Sequence, residues 1–235
     1  MTPAVRHKAE WHEFGSPDEL ADALARRIGD TLGEAIALRG AATLAVSGGR
    51  TPRRLFEALS HLPIAWDRVT IVLVDERFVP PDDERSNEKL ARTHLMRDRA
   101  ADAMLLPLYS PEGSVEEAAI KADAKVSALP APLDVAVLGM GPDGHTASFF
   151  PDAKNLDALH VNRNGKAVLP VHAQSAGEPR VTLSMQLLAC ARLLVLHIES
   201  GERRNILTQA LAEGELPIAR FFAEAATAPQ IYWAA

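Results

Sequence analysis

The stretch Thr-Leu-Ala-Val-Ser-Gly-Gly-Arg-Thr-Pro, residues 43–52, carries the pattern that decides the fold of this chain. Residues 43–46 form a short, largely apolar run that predicts a buried strand, and Ser47-Gly48-Gly49 predicts a turn directly after it. Thr51-Pro52 then predicts the start of a helix. A buried strand that turns at once into a helix is typical of a parallel sheet with helices packed on it.

Two more runs of the same kind follow along the chain. Residues 69–74 predict a second buried strand that ends at Asp75-Glu76-Arg77, and residues 134–138 predict a third that ends in a glycine-rich turn. Less regular runs predict three further strands, at residues 166–171, 192–198 and 230–233.

Helical patterns with clear start signals alternate with these strands. Ser16 and Glu19 form a capping box before leucines and isoleucines that recur every four residues, and Ser114 and Glu117 form another. The alternation predicts one α/β domain over residues 1–235, with a mostly parallel, doubly wound sheet and helices on both of its faces.

The composition argues against several classes of protein. The chain has 235 residues with 25 Lys and Arg against 31 Asp and Glu, so a formal net charge of -6 disfavours nucleic-acid and anionic-membrane partners. A hydrophobic content of 47% supports a sizeable core. The single cysteine, Cys190, rules out an internal disulfide and favours a reducing compartment. With neither a signal-peptide pattern nor an apolar run long enough for a membrane span, we expect a water-soluble, cytoplasmic protein.

The unusual residues of the chain cluster directly after the three predicted strands. They occupy residues 47–52, 75–77 and 139–146. In open α/β sheets, ligands bind in the crevice at the carboxyl ends of the strands. Three such loops at three strand ends therefore predict one shared ligand site.

The first loop has the features of an anion site. Gly48 and Gly49 allow the backbone to approach a ligand closely, and the helix that starts behind them offers free N–H groups to a phosphate. Arg50 can add a charged contact. The spacing differs from that of a Walker loop, and Ala45 stands where a nucleophile elbow around Ser47 needs glycine. The alternative is a tight turn that simply requires small residues.

The second loop places charge at the end of an apolar strand. Arg77 can present a fork of donors to a carboxylate, a carbonyl oxygen or a phosphate, and Asp75 precedes it by two residues. The alternative is an ion pair between surface neighbours, which contributes little to stability. Both interpretations stay open on the residues alone.

The third loop combines a dinucleotide-like spacing with an acid–base residue. Residues 139–144 read Gly-x-Gly-x-x-Gly, but Pro151 limits the following helix to one or two turns, which argues against a nicotinamide-dependent enzyme. His145 lies in this glycine-rich turn, where it can act as a general acid or base with Asp143 to orient it. The alternative is a histidine with a purely structural role.

Other charged residues give weaker signals. Arg180, Arg203 and Arg204 could bring positive charge to the same crevice, although lone arginines are usually solvated. No spacing typical of a metal site joins the remaining candidates, which are His94, His160, His172 and His197. The residues alone therefore predict a cleft that binds a small phosphorylated or carboxylated molecule and contains an acid–base histidine.

Taken together, the loops resemble those of the 6-phosphogluconolactonase family. The segments that carry the resemblance are Ser47-Gly48-Gly49-Arg50-Thr51-Pro52, Asp75-Glu76-Arg77 with Ser86-Asn87, and Leu138-Gly139-Met140-Gly141-Pro142-Asp143-Gly144-His145-Thr146-Ala147-Ser148, extended by Pro179-Arg180-Val181-Thr182-Leu183 and Gly201-Glu202-Arg203-Arg204. The resemblance covers essentially the whole chain. It implies hydrolysis of 6-phosphoglucono-δ-lactone to 6-phosphogluconate, the second step of the oxidative pentose phosphate pathway. It also implies a fold related to sugar-phosphate isomerases and deaminases, a sugar phosphate lactone as the small-molecule partner, and no metal or organic cofactor.

The resemblance further implies roles for individual residues. His145 would be the general base that activates water, Asp143 and Asp75 would orient the site, and Arg77 would face the lactone or hold its loop. The implied contacts to substrate and phosphate come from Ser47, Gly48, Gly49, Arg50, Thr51, Gly141, Arg180 and Arg204. Relatives often carry lysine at the last of these positions, so Arg204 keeps the charge with a different geometry.

Two related functions fit the sequence less well. Glucosamine-6-phosphate deaminases share Asp-Gly-His, but they carry a glutamate five residues beyond that histidine, where this chain has Phe150. They also tend to have tyrosine at the position of Arg77. A sugar-phosphate sensor on this fold would need a DNA-binding module, and only about 40 residues precede the first predicted strand.

Overall fold

The computed structural model describes residues 9–111, 113–162 and 164–235. Its helices are α1 Pro17–Arg39, α2 Arg53–Ser60, α3 Asn87–His94, α4 Val115–Val126, α5 Leu156–Val161, α6 Met185–Ala189, α7 Gly201–Glu213 and α8 Pro217–Glu224. Its strands are β1 Glu10–Phe14, β2 Ala42–Val46, β3 Val69–Leu73, β4 Asp75–Arg77, β5 Met104–Leu106, β6 Val135–Leu138, β7 Val168–Val171, β8 Arg180–Leu183, β9 Leu193–Glu199 and β10 Gln230–Ala234.

Seven of the strands form one parallel sheet in the order β1-β10-β9-β6-β2-β3-β5. Val46, at the carboxyl end of β2, pairs with Leu73 of β3 on one side and with Val137 of β6 on the other. The chain runs outward from β2 through β3 to β5 and then returns to the other side of β2 as β6. Such a reversal opens a crevice between the carboxyl ends of the two strands, here β2 and β6.

A second, smaller sheet continues from the end of β3. Val74 donates its N–H to the Val46 carbonyl and accepts from the Leu183 N–H, so it joins the large sheet to β4. The strands β4, β8 and β7 then form a three-stranded antiparallel sheet in which Arg77 pairs with Arg180. The sequence predicts a loop where β4 lies, because its three charged residues show no apolar alternation.

Helix α1 illustrates how local sequence sets an element and its packing. The Ser16 side chain accepts a hydrogen bond from the Glu19 N–H at 3.2 Å, which satisfies one of the free donors at the helix start. One face of the helix is fully buried through Leu20, Leu24, Ile28 and Leu32. These side chains join a continuous apolar core that includes residues of both sheets.

The predicted fold class, a mostly parallel α/β sheet with helices packed on it, is confirmed. One detail of the prediction is wrong. Residues 144–151 form turns and not a helix of one or two turns, since Ala147 adopts a φ of +48°, outside the range of a right-handed helix. None of the helices in the described part of the chain is both long enough and apolar enough to cross a membrane.

Candidate active site

A cleft of about 510 Å³ opens at the carboxyl ends of β2, β6 and β9, beside β4. The three loops expected to share a site do meet there. The predicted residues that line the cleft are Ser47, Gly48, Gly49, Arg50, Thr51, Asp75, Arg77, Gly141, His145 and Arg180. Asp143 joins them through its hydrogen bond to His145. Arg204 lies in a different surface depression.

The first loop packs closely against the start of α3. A side chain at position 48 would place its Cβ 1.8 Å from Asn87 Oδ1, so glycine is required at Gly48 for this approach. The Asn87 amide donates from Nδ2 to the Asp75 carbonyl at 2.9 Å and accepts at Oδ1 from Arg77 Nη1 at 2.8 Å. One amide therefore connects the first loop with the second, a role that the sequence reasoning did not assign to Asn87.

A buried carboxylate holds Asn87 in place. Glu76 is 1% exposed, and it accepts hydrogen bonds from the N–H groups of Asn87 and Glu88 at 2.8 Å each and from the Ser86 hydroxyl at 3.0 Å. Burial raises the pKa of the Glu76 carboxyl, and these hydrogen bonds oppose the rise. Because the free N–H groups of a first helical turn favour an anion, Glu76 ties β4 to α3 and orients Asn87 at the cleft.

Asp75 connects the second loop with the third. Its carboxylate is buried, and its Oδ2 accepts a hydrogen bond from the Ser148 hydroxyl at 2.5 Å. Arg180 Nη1 lies 3.9 Å from the same oxygen. Ser148 follows His145 by three residues, so this hydrogen bond fixes the loop that carries the histidine relative to β4.

Two arginines face each other across the antiparallel pair of β4 and β8. Arg77 and Arg180 are register partners, an arrangement in which like charges repel. Glu178 Oε1 lies 3.7 Å from Arg77 Nε and 3.8 Å from Arg180 Nη2. Burial lowers the pKa of the Arg180 guanidinium and the charge of Arg77 lowers it further, while Asp75 and Glu178 oppose the change. The Glu178 carboxylate therefore allows two guanidinium groups to remain side by side.

The third loop presents a histidine–aspartate pair. His145 Nδ1 and Asp143 Oδ1 are 2.5 Å apart, and a Cβ at Gly141 would lie only 2.2 Å from the imidazole. Burial by itself would raise the pKa of the Asp143 carboxyl, but hydrogen bonds from the ring and the N–H of His145 outweigh burial and lower it. An ionised Asp143 accepts a hydrogen bond from the Nδ1–H group of His145, so the free lone pair of the imidazole lies on Nε2.

The structure places Arg203, and not Arg204, at the cleft. Neighbouring residues of a helix point about 100° apart, and because the cleft faces Glu202 and Arg203, the next residue of α7 points away from it. Arg204 turns to the other side of α7, where Nη1 and Nη2 donate to Glu13 at 3.0 and 2.7 Å. Its guanidinium also lies over the rings of Trp11 and Trp233. The position expected for Arg204 is thus corrected, because α7 directs Arg203 to the cleft and uses Arg204 to hold β1 and β10.

The wall beside Arg203 carries both signs of charge. Glu199 Oε1 lies 3.6 Å from His197 Nε2. The His197 imidazole and the positive charge of Arg54 both lower the pKa of the Glu199 carboxyl. The first turn of α7 begins at the same wall, with Ser200 as its N-cap, and it adds the partial positive charge of a helix start.

The lining side chains offer proton transfer and charge stabilisation. His145 with Asp143 supplies the acid–base pair, and the guanidinium of Arg77 supplies donors for an oxyanion. Among residues 9–111, 113–162 and 164–235, no group of three or more His, Cys, Asp or Glu side chains is placed to hold a metal ion.

Comparisons with known proteins agree with this geometry. The family model described as glucosamine-6-phosphate isomerases/6-phosphogluconolactonase matches residues 15–233. The chain belongs to this family. A 6-phosphogluconolactonase of Mesorhizobium japonicum is 49% identical over 225 residues, which cover 95% of this chain and 94% of the relative. A 6-phosphogluconolactonase of Rhizobium meliloti is 47% identical over 229 residues, which cover 96% of this chain and 99% of the relative.

Solved structures of the glucosamine-6-phosphate isomerase/6-phosphogluconolactonase family share the fold over nearly the full chain. A 6-phosphogluconolactonase from Shewanella baltica superposes with a TM-score of 0.93 at 35% identity and covers 97% of this chain and 98% of its own. A putative 6-phosphogluconolactonase from Neisseria gonorrhoeae superposes with a TM-score of 0.88 at 31% identity, with 97% and 100% covered. The cleft described above therefore lies in a fold shared with members of this family.

Ser200 adopts a strained backbone conformation at the start of α7. Its φ of 81° and ψ of 150° fall in a region that glycine occupies almost alone. The N–H of Ser200 donates to the Ala234 carbonyl and its own carbonyl accepts from Trp233 Nε1, each at 2.9 Å. These two bonds to β10 hold the strained residue in place while α7 begins at the cleft.

We expect Ser200→Gly to raise the free energy of unfolding by about 1 kcal/mol. Strain of this kind costs about 1–3 kcal/mol, and the added entropy of glycine in the unfolded chain offsets part of the gain. Equilibrium unfolding in urea measures the change. Ser200→Ala is the matched control, since it keeps the strain and removes the side-chain acceptor for the Arg203 N–H, so it should be less stable than wild type. Both variants lack this acceptor, so a Ser200→Gly variant that is no more stable than Ser200→Ala would show that the conformation carries no strain.

Proposed function

We propose that this protein hydrolyses 6-phospho-D-glucono-1,5-lactone to 6-phospho-D-gluconate, the second step of the oxidative pentose phosphate pathway. The observation that carries the proposal is the His145–Asp143 pair, which lies in the same cleft as the anion-binding loop at Gly48 and Gly49. The relatives named 6-phosphogluconolactonase, at up to 49% identity, support the same reaction.

The distribution of charge supports one orientation of the substrate. On the side of β4 and β8, the guanidinium groups of Arg77 and Arg180 are balanced by the carboxylates of Asp75 and Glu178. On the side where α7 begins, the cleft-lining charged residues are Arg50, Arg54, Arg203, Glu199 and Glu202, and Arg54 Nε lies 2.8 Å from Asp18 Oδ1. The side-chain charges are therefore balanced here as well, and the helix start and the loop N–H groups add partial positive charge to this side. We therefore orient the phosphate toward α7 and the uncharged lactone head toward His145.

In this orientation the reaction needs only water and the residues of the cleft. His145 Nε2 removes a proton from water as the water oxygen bonds to C1 of the lactone, and the C1 carbonyl oxygen becomes an oxyanion that Arg77 stabilises. When the oxyanion collapses, the C1–O5 bond breaks and the imidazolium returns the proton to O5, which becomes the 5-hydroxyl of the product. The new carboxylic acid then releases its proton to solvent.

The phosphate contacts contribute to rate as well as to affinity. They hold C1 near the imidazole, and positioning of this kind lowers the entropic part of the barrier. General-base help adds about 10²–10⁴-fold. A lactone is already an activated ester, so this combination is sufficient for the proposed reaction.

The side chain five residues beyond His145 favours lactone hydrolysis over amino-sugar isomerisation. Phe150 occupies this position, and its ring centroid lies 4.3 Å from that of the imidazole and 5.5 Å from Arg180 Cζ. An apolar ring packed against both groups offers no proton donor or acceptor to an amino sugar. The same ring shields the imidazole from solvent on one side.

The proposal extends to the setting in which the enzyme works. We propose that residues 1–235 act as one domain, since a single core includes residues of both sheets. We also place the reaction in the cytoplasm, and we take the partner to be a small sugar phosphate lactone and neither nucleic acid nor membrane. A net charge of -6 supports the last point.

His145→Ala should lower kcat for the lactone by at least about 100-fold, because the attacking water loses its general base. The assay follows lactone opening and subtracts the spontaneous reaction. His172→Ala is the matched control, since His172 also pairs with a carboxylate, with Nε2 at 2.7 Å from Glu116 Oε1, but lies outside the cleft. Turnover by His145→Ala at the wild-type rate would remove His145 from the role of base.

Arg203→Ala should raise KM by about tenfold or more, because a charge-assisted hydrogen bond to phosphate is worth about 1.5–3 kcal/mol. Arg204→Ala should leave KM within about twofold and lower the thermal midpoint instead, since Arg204 binds Glu13 and packs on two tryptophans. Steady-state kinetics and thermal unfolding of both variants separate the two roles. A rise in KM confined to Arg204→Ala would mean that the phosphate binds on the outer side of α7.

A further inference from the structure

Hydrolysis changes the charge of the molecule in the cleft. The lactone head is uncharged, whereas the product carries a carboxylate at C1 that is ionised at neutral pH. The phosphate is the same in both. A cleft that held two unpaired arginines beside C1 would therefore bind the product more tightly than the substrate and slow its release.

Glu178 is the residue that supplies a carboxylate partner to both Arg77 and Arg180, so that the two arginines are not unpaired. Arg77 Nη1 donates to two uncharged acceptors, the Arg85 carbonyl and Asn87 Oδ1, each at 2.8 Å. Its carboxylate partner is Glu178, with Oε1 3.7 Å from Nε, and the same oxygen lies 3.8 Å from Arg180 Nη2. The Glu178 carboxylate thus acts on both guanidinium groups at once.

The position of Glu178 is itself fixed from outside the cleft. Its Oε2 accepts a hydrogen bond from Arg85 Nη1 at 2.9 Å, and Arg85 Nη2 lies 2.9 Å from Asp83 Oδ2. Only Pro179 separates Glu178 from Arg180, the first residue of β8, so the start of β8 also restrains it. The carboxylate is therefore held beside the two arginines whether or not a ligand is bound.

We propose that Glu178 is a specificity-determining residue that keeps the cleft from retaining the C1 carboxylate of the product. It acts through Arg77 and Arg180, whose donors remain available to a short-lived oxyanion while their net charge is cancelled. This inference rests on the proposed lactone hydrolysis and adds to it a reason why the more negative product leaves. In the absence of the Glu178 carboxylate, the side of the cleft formed by β4 and β8 gains one positive charge, and the C1 carboxylate of the product becomes the counter-ion of that charge.

Isothermal titration of two non-reacting ligands tests the proposal. One is 6-phosphogluconate, which carries the carboxylate, and the other is 1,5-anhydroglucitol 6-phosphate, which has the ring and the phosphate but no charge at C1. Glu178→Gln should lower the Kd of 6-phosphogluconate by about tenfold, the effect of one unit charge at several ångströms in a partly solvated cleft. The Kd of 1,5-anhydroglucitol 6-phosphate should change by less than about twofold, because its phosphate binds at the other side.

Two further variants provide a control and a second, independent measurement. Glu84→Gln makes the same chemical change on the neighbouring loop, where Glu84 pairs with Lys89 at 2.8 Å, and it should change neither Kd. Arg85→Gln keeps a side-chain N–H donor for Glu178 Oε2 but removes the positive charge that neutralises part of this carboxylate, so it should raise the Kd of 6-phosphogluconate by about two- to threefold. This opposite change tests the proposal even if Glu178→Gln does not fold.

Three results would overturn the inference. Equal tightening of both ligands in Glu178→Gln would mean that Glu178 acts on the phosphate. A Kd of 6-phosphogluconate that stays constant in both Glu178→Gln and Arg85→Gln would mean that the charge of Glu178 does not affect binding of the C1 carboxylate. In either case wild-type protein still hydrolyses the lactone, so only this inference fails. Wild-type protein that neither hydrolyses the lactone nor binds 6-phosphogluconate would contradict the proposed function and this inference together.

Discussion

The reversal of the chain at β2 is the constraint on which the whole site depends. Because β3 and β6 both run parallel to β2 and flank it, the segments that follow all three strands emerge at the same rim of the sheet. The helices then leave that rim in different directions, which opens the cleft. Gly48, Asp75 and His145, far apart in the chain, line it for this reason. The second sheet depends on the same rim, since Val74 passes directly from β3 to β4.

The features that arise from local patterns could be predicted from the sequence. The run at residues 43–46 predicted a strand observed as Ala42–Val46, and the cap at Ser16 predicted the start of α1. Once those strands were assigned, the rule for ligand sites at carboxyl ends was enough to place the three loops together. The resemblance to 6-phosphogluconolactonases added expected roles for residues whose chemistry alone left two interpretations open, as at Arg77.

The features that arise from pairing over long distances could not be predicted. Strand β4 has no apolar alternation, yet its pairing with β8 sets Arg77 opposite Arg180 and makes Glu178 necessary between them. The choice between Arg203 and Arg204 depends on the residue at which α7 begins, and the strained N-cap Ser200 is an unusual start signal. The role of Asn87 depends on the buried carboxylate of Glu76, which no local pattern reveals.

The two sides of the cleft differ in their residues and charges, and therefore in their roles. The α7 side attracts an anion, while the side of β4 and β8 combines a histidine, buried hydrogen bonds and balanced charges. The central claim is the orientation of the substrate that follows from these two roles.

A crystal structure of the complex with 6-phosphogluconate tests this orientation most directly. We predict the phosphate on residues 48–51 and Arg203, with the C1 carboxylate about 3 Å from His145 Nε2. A phosphate beside His145, with the carboxylate at α7, would contradict the account.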